Sequence, residues 1–353
     1  MKEDVKRVLR EEQPLKGREI AKRIGQDRRA VNAFLDTNRD TFTQNDAFEW
    51  SILQTSELVV EFPDVDWLTA EDFETALCEH GSPLDSEKQH VIFKVSSKLL
   101  IDALARLLAI CNQAVARGKL VTIDLSDCKQ TAKYLNRIGF FDLLAPSISV
   151  SPERPQTSLA AKHKGGNANV MELAAISMDE RDDEIPRRLI SCFREVAGDE
   201  HPTRILTILG ELFDNVHEHS QSLIPGFAAL QAYKKGRFPN IRAVISDSGA
   251  GIVGTLLPVF NSAIATTGRD VREALIEHVF SHGRLSRVDE AGRGLGLKRT
   301  GDFANKFNAV ITVRQEDFEA TIRVRDDELA FKHRHGLTKM LGTHICLTFA
   351  LTS

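Results

Sequence analysis

Residues 244–254 read VISDSGAGIVG: a short apolar run, then Asp247, then three spaced glycines, Gly249, Gly251 and Gly254. The glycine spacing matches the G-x-G-x-x-G fingerprint of a dinucleotide-binding loop. Asp270 lies roughly 20 positions further on, where that fold places the acidic residue that binds the ribose. The stretch therefore raises two alternatives: the loop of a nicotinamide enzyme, or glycines that hold something else.

The residues after the glycines do not fit the nicotinamide alternative. The fingerprint glycines should open a regular helix, but the next segment, TLLPVFNSAIATTG, contains Pro258 and breaks into turn-like pieces. Asp270 should end a second strand, yet no strand pattern precedes it. The sequence also contains no Walker P-loop of the form G-x-x-x-x-G-K-[ST]. The sequence patterns upstream and downstream of this loop therefore bear on what its glycines hold.

An amphipathic helix is predicted upstream, in ILTILGELFDNVHEHSQS (205–222). Its apolar residues recur at helical spacing, and its polar side carries Glu211, Asn215 and His219, each four residues apart. This spacing stacks three hydrogen-bonding side chains on one face of the helix. Two apolar segments, FAALQAY and IRAVISD, follow with the spacing of adjacent strands.

A second glycine cluster, AGRGLGLKRTGDF, lies far downstream and contains Gly292, Gly294 and Gly296. Backbone N–H groups of a glycine-rich turn at a helix N-terminus form an anion site, because the free donors and the helix dipole point at the ligand. The segment GTHICLTFAL then places Gly342 and Thr343 at the start of a last apolar strand.

The order Glu-x-x-x-Asn, Asp-x-Gly-x-Gly, Gly-x-Gly-x-Gly and Gly-Thr resembles the four boxes of the GHKL ATPase superfamily. This superfamily comprises gyrases, heat-shock chaperones, histidine kinases and mismatch-repair proteins, whose shared ATP site is the Bergerat fold, an α/β sandwich. The resemblance covers residues 170–353. It implies an ATP-binding domain that uses Mg²⁺.

The resemblance also implies a role for each matching residue. Asn215 matches the asparagine that coordinates Mg²⁺, a hard cation that keeps several waters. Glu211 matches the carboxylate that, in the ATPase branches, orients and deprotonates the attacking water. Asp247 matches the aspartate that accepts a hydrogen bond from the adenine amino group. The other matches are Gly249 and Gly251 beside the base and ribose, Thr343 in adenine recognition, and Gly292, Arg293, Gly294, Gly296 and Lys298 around the phosphates.

The stretch between Ile252 and Glu290 corresponds to the mobile lid of this superfamily. Arg284 and Arg287 in this stretch either reach the γ-phosphate or are solvated. The spacing of His219 after Asn215 resembles the anti-sigma serine kinase branch, and the alternative is a histidine that caps or packs at the helix end.

Residues 1–55 have the pattern of three short helices followed by a hairpin. The helices are predicted in VKRVLREE, GREIAKRI and RRAVNAFLDTN, with Gly25 ending the second and Asp27 capping the third. TFTQNDAFEWSIL is predicted to form strand, turn and strand. The layout resembles winged helix-turn-helix domains, which implies a nucleic-acid contact face that includes Arg28, Arg29 and Asn32. The alternative is a solvated face of a protein-docking module.

Residues 56–145 are predicted to form a small α/β domain, because apolar strands alternate with helices in a way that implies a parallel sheet. This stretch resembles the anti-sigma-antagonist (STAS) domain. In that family a serine near the second strand is phosphorylated, and Thr131 stands nearest to that position. The alternative is a plain scaffold layer. Residues 146–169 are rich in Pro, Ser and Gly, which predicts a linker.

The composition is that of an ordinary globular protein, with 42% apolar and 27% charged residues. The net charge of −4 gives no global basic field, so nucleic-acid binding would need a local patch. The sequence contains no run of about 20 apolar residues, so no membrane span is predicted, and the N-terminus is too polar for a secretory signal. The five scattered cysteines predict reduced structural thiols in a cytoplasmic protein.

Three outputs of ATP binding stay open at this point. The first is a regulator that hydrolyses ATP or is switched by it. The second is a serine/threonine protein kinase of the anti-sigma partner-switching type, which the pairing of a STAS-like and a kinase-like domain suggests. The third is a non-catalytic, nucleotide-dependent regulator that binds nucleic acid through residues 1–55. ATP and a protein are the expected partners, and homodimer formation is left open.

Overall fold

The computed structural model describes most of the 353-residue chain and shows a mixed α/β protein with several sheets. The described residues are 1–39, 41–52, 57–198, 202–235, 239–260, 270–282, 297–298, 300–302, 309–325 and 328–351, with side chains for all but 10, 202–206 and 325. The chain divides into two compact units, Met1–Ser56 and Glu57–Ser353.

The first unit has the predicted order of three helices followed by a hairpin. Its helices are α1 (Lys2–Glu11), α2 (Gly17–Ile24) and α3 (Arg28–Thr37), and its strands are β1 (Leu15–Lys16), β2 (Phe42–Gln44) and β3 (Glu49–Ile52). The strands form an antiparallel sheet in the order β1-β3-β2. The predicted helix signals are confirmed: Gly25 ends α2 with φ of 67°, and the Asp27 carboxylate accepts backbone hydrogen bonds at the start of α3.

The second unit begins with a parallel layer. Four strands pair in parallel, in the order β4-β6-β8-β9, as the alternation of strands and helices predicts. These strands are β4 (Glu57–Glu61), β6 (His90–Lys94), β8 (Leu120–Asp124) and β9 (Ser149–Ser151), and a separate short pair is formed by β5 (Trp67–Leu68) and β7 (Lys98–Leu99). The helices of this layer are α4 (Ala70–His80), α5 (Ile101–Ala116), α6 (Lys129–Ile138), α7 (Phe140–Leu143) and α8 (Leu159–Lys162).

The stretch 146–169, whose composition predicts a linker, contributes β9 and α8 to this layer. Arg154 also connects this stretch to the residues before it: its guanidinium donates hydrogen bonds to the carbonyls of Phe141, Leu144 and Ala145. This segment is therefore an ordered part of the second unit.

A seven-stranded antiparallel sheet follows, in the order β10-β11-β12-β16-β13-β14-β15. Its strands are β10 (Val170–Ile176), β11 (Gly226–Tyr233), β12 (Asn240–Ser246), β13 (Val310–Glu316), β14 (Phe318–Arg325), β15 (Glu328–Arg334) and β16 (Met340–Ala350). In the described part of the chain, the helices that accompany it include α9 (Glu184–Ala197), α10 (Pro202–His219), α11 (Gly251–Leu256) and α12 (Val271–Ser281). The predicted helix before the aspartate loop and the predicted adjacent strands around it are thus confirmed.

Each face of the seven-stranded sheet is covered by a different core. On one face, α9, α10, α11 and α12 pack against residues such as Ala243, Ile245 and Ile345. On the other face, α5 packs against β12 and β16 while it also contacts β8 of the parallel sheet. Val244 and Cys346 belong to this second core, together with most of α5. Helix α5 is apolar around almost its whole circumference because both sides of it are buried.

No helix in the described part of the chain is both long and apolar enough to cross a membrane. All five cysteines are free thiols, and burial raises the pKa of Cys111, Cys192 and Cys346.

Candidate functional site

Asp247 stands at the end of β12 and is buried, with only 6% of its surface exposed. Its Oδ1 accepts hydrogen bonds from the backbone N–H of Gly249 at 2.7 Å and from the hydroxyl of Ser220 at 3.2 Å. Its Oδ2 accepts a hydrogen bond from the backbone N–H of Thr343 at 3.0 Å. The carboxylate is therefore held by three separate segments of the chain.

Burial raises the pKa of Asp247 above its ordinary value, while the hydrogen bonds from Gly249, Thr343 and Ser220 oppose this effect. A buried carboxylate that is held in place by surrounding donors is suited to recognise a donor group on a ligand, because its orientation is fixed before the ligand arrives.

Two glycines are required by close backbone contacts around this carboxylate. A Cβ on Gly249 would lie 1.5 Å from the carbonyl oxygen of Ser220, so the loop packs directly on the end of α10. Gly342 has φ of 83°, and a Cβ on it would lie 2.1 Å from the carbonyl oxygen of Asp247. No other residue fits either position without moving the backbone. The second predicted glycine, Gly251, opens α11 directly after the loop.

Thr343 joins the last strand to the start of α11. Its hydroxyl accepts hydrogen bonds from the backbone N–H of Ile252 at 3.1 Å and from Nε2 of Gln315 at 2.9 Å. The amide oxygen of Gln315 in turn accepts a hydrogen bond from Val253 N–H at 2.9 Å. This chain of contacts fixes the aspartate loop against β13 and β16, as the pairing of Asp247 with Thr343 in one site predicts.

Gln315 and Ser220 belong to this hydrogen-bonded network, although the sequence patterns did not single them out. Gln315 shares the period-two register of Ile311 and Val313, which are fully buried, so a polar residue there was a signal of a hydrogen-bonded site. Ser220 lies within the stretch 205–222 that was predicted to be helical and directly follows α10 in the structure, and no sequence signal marks it.

Helix α10 carries a second group of predicted site residues. Glu211 and Asn215 are both half-buried and lie one turn apart, as their spacing predicts. His219 at the end of the helix is exposed, and its Nε2 lies 3.8 Å from the carboxylate of Glu218. Since Ser220 directly follows α10 and donates a hydrogen bond to Asp247, the C-terminal end of the helix lies beside the aspartate loop.

Several predicted phosphate-binding residues lie outside the described residues, namely Gly292, Arg293, Gly294 and Gly296, together with the lid residues Arg284 and Arg287. Lys298 is described, is helical and is half-buried. Residues 300–302 are also helical, and Gly301 packs against the end of α12, where a Cβ on it would lie 2.2 Å from the carbonyl oxygen of Phe280.

In the first unit, Arg28 and Arg29 are exposed at the start of α3. Asn32 is half-buried, and its side chain lies against α2, because a Cβ on Gly17 would come within 2.0 Å of its Oδ1. The two arginines therefore face solvent, whereas Asn32 packs between two helices.

Thr131, the residue nearest to the phosphorylated serine of STAS domains, is buried in the parallel layer. Its hydroxyl donates a hydrogen bond to the carbonyl of Ser97 at 3.0 Å and lies 2.7 Å from Sγ of Cys128. A kinase could not reach this hydroxyl without opening the layer.

No protein-family model, curated protein or solved structure gives a significant match to the chain. Across the residues that the structure describes, no group of three or more His, Cys, Asp and Glu side chains is arranged to hold a metal ion.

Proposed function

We propose that the second unit binds ATP with Mg²⁺ and acts as an ATP-dependent regulator. The observation that carries this proposal is that two of the sequence boxes, the aspartate loop and the Gly-Thr segment of β16, meet at one buried carboxylate. Ser220, which directly follows α10, and Thr343 of the Gly-Thr segment are far from the aspartate loop in sequence, yet both donate hydrogen bonds to Asp247. An α/β sandwich with an antiparallel sheet supports a Bergerat-type site.

Asp247 is proposed to recognise the adenine end of the nucleotide. The 6-amino group of adenine is a hydrogen-bond donor, and a fixed buried carboxylate is its natural acceptor. Thr343 and the backbone around Gly249 and Gly251 would line the base and ribose. In this assignment, Gly249 and Gly251 would lie at the base rather than at the phosphates.

Asn215 and Glu211 are proposed to serve the phosphate end. The amide oxygen of Asn215 is a ligand that Mg²⁺ accepts, and a single protein ligand suits a cation that also keeps waters and phosphate oxygens. Bound Mg²⁺ would neutralise the phosphate charge. Glu211, one turn away, would orient the attacking water and accept its proton. Gly292, Arg293, Gly294, Gly296 and Lys298 are the proposed phosphate cradle.

The proposed output is ATP hydrolysis or an ATP-driven switch of partner contacts. The carboxylate of Glu211 supports hydrolysis, because it places a general base on the same helix face as the metal ligand. The burial of Thr131 disfavours phosphorylation of this chain's own STAS-like layer, although a kinase that acts on another protein stays a competing output.

Incubation with γ-labelled ATP and Mg²⁺ tests the output. We expect the wild-type chain to release free phosphate, and Glu211→Gln to bind ATP but release phosphate roughly 100-fold more slowly, since general-base catalysis contributes that much or more. Glu218→Gln, which removes an exposed carboxylate from the same helix, is the matched control and should keep the wild-type rate.

Other results of this assay would replace the proposed output. Label on the protein or on an added partner would assign a kinase. Bound nucleotide without phosphate release in the wild type would assign a non-catalytic scaffold. If Glu211→Gln releases phosphate at the wild-type rate, Glu211 is not the general base.

A second function is proposed for the first unit: contact with a nucleic-acid backbone through α3. The exposed guanidinium groups of Arg28 and Arg29 at the start of this helix support it, because arginine binds phosphate oxygens bidentately. Asn32 contributes to the packing of this face rather than to its surface.

A further inference from the structure

Gln113 is completely buried in α5, and its amide group makes three hydrogen bonds. Its Nε2 donates to the hydroxyl of Ser248 at 3.0 Å and to the carbonyl of Leu341 at 2.9 Å. Its Oε1 accepts from the backbone N–H of Leu341 at 2.9 Å. Both N–H groups and the oxygen of the amide are thus used, on Leu341 of β16 and on the turn that follows β12.

The two segments that Gln113 contacts are the segments that hold the Asp247 carboxylate. Ser248 lies between Asp247 and Gly249, the source of one backbone hydrogen bond to the carboxylate. Leu341 lies two residues before Thr343, the source of another. Helix α5 therefore binds, from the opposite face of the sheet, both sides of the candidate adenine site.

We propose that Gln113 is a positioning residue for base recognition: by joining the 247–249 turn to the 341–343 segment, it fixes the orientation of the Asp247 carboxylate toward the 6-amino group of an adenine nucleotide. The inference rests on the proposed function of this site. It assigns a role in nucleotide selectivity to α5, a helix that none of the four sequence boxes includes.

The physical reason is that the hydrogen bonds of Gln113 cannot be replaced by water. The amide lies in an apolar core with Cys111 and Ala114 on the same helix, both fully buried. An apolar side chain at position 113 would leave the N–H of Leu341 unpaired, remove one of the two donors to its carbonyl, and release Ser248. The two segments could then separate, and the carboxylate would lose its fixed direction.

The competing explanation is that Gln113 serves only to fold the layer onto the sheet. Asn112, its neighbour on α5, offers a matched control, because its amide makes a similar clamp on a different segment. Its Nδ2 donates to the carbonyl of Leu143 at 2.9 Å, and its Oδ1 accepts from Ala145 N–H at 2.9 Å. Loss of Asn112 removes a comparable structural clamp without touching the candidate site.

The test measures dissociation constants of the 353-residue chain for ATP and for purine riboside 5′-triphosphate, which lacks the 6-amino group. The dissociation constant for purine riboside 5′-triphosphate divided by that for ATP reports recognition of the amino group. A purely structural role of Gln113 would not change this ratio. We expect Gln113→Leu to reduce this ratio about tenfold, mainly by weakening ATP binding, as loss of one well-oriented hydrogen bond would. Asn112→Leu should leave the ratio at the wild-type value.

Ser248→Ala keeps Gln113 and removes only one acceptor, so it decides the question even if Gln113→Leu does not fold. We expect it to reduce the ratio by about threefold, which corresponds to a weaker part of the same network. Unchanged ratios in both variants, or an equal loss in Asn112→Leu, would overturn the inference alone. A wild-type chain that binds neither nucleotide would overturn the proposed function itself.

Discussion

His344 follows Thr343 on β16 but faces the opposite side of the sheet, toward α5. It is buried, and its Nε2 donates a hydrogen bond to the carbonyl of Leu341 at 2.9 Å. Burial, and then the positive charge of Arg314, lowers its pKa to about 3, so the ring is neutral at physiological pH. A neutral imidazole here keeps the Leu341 segment, which Gln113 also binds, in its place.

Because His344 is buried in its neutral form, we expect the free energy of unfolding to decrease in acid. Its pKa is about 3 in the folded chain and 6.5 as its ordinary value, so the unfolded chain takes up the proton first as pH falls. The contribution to stability is therefore fully present above pH 6.5 and is lost as pH falls toward 3. Relative to His344→Gln, the wild type should lose about 1.4 kcal/mol per pH unit between roughly pH 6 and 4.

Urea unfolding of both chains across this pH range measures the difference in the free energy of unfolding. A difference that does not change with pH would contradict the buried neutral state of His344.

At the scale of elements, periodicity was enough to predict α10, β12 and β16, because each carries an apolar repeat next to its polar site residues. The role of α5 could not be predicted in this way. Its partners on the sheet are distant in sequence: Arg106 on α5 forms ion pairs with Glu74 of α4 and Glu319 of β14, and Glu74 also pairs with Arg314. A helix that is apolar all round shows that it is buried, but not between which layers.

Helix α3 of the first unit carries the prediction at this scale. We expect the Arg28→Ala, Arg29→Ala double variant to bind a labelled duplex more weakly than the wild type. The slope of log affinity against log salt should also become less steep by about two, one for each lost phosphate contact. Fluorescence anisotropy between 50 and 200 mM salt measures both quantities. Arg7→Ala, which removes an exposed arginine from α1, is the control. An unchanged slope in the double variant would remove α3 from the contact face.

At the scale of the whole molecule, the sequence placed Asp247 and the Gly-Thr segment in one site, and Thr343 does donate a hydrogen bond to Asp247. The sequence did not reveal that residues 57–150 and the seven-stranded sheet share one core, because the polar links between them are single residues such as Gln113 and Arg106. Local patterns identify the parts of such a site, whereas the layer behind it depends on pairings that no local pattern contains.

The central claim is that the second unit recognises ATP through Asp247. Equilibrium titration of the wild-type chain with Mg-ATP should show saturable binding. Asp247→Asn should weaken it about 10- to 100-fold, because the amide replaces a charged acceptor. Asp179→Asn, which changes an exposed aspartate, should bind as the wild type does, and circular dichroism checks that all three chains are folded. A folded wild type that does not bind ATP, or an Asp247→Asn variant that binds it equally well, would contradict the account.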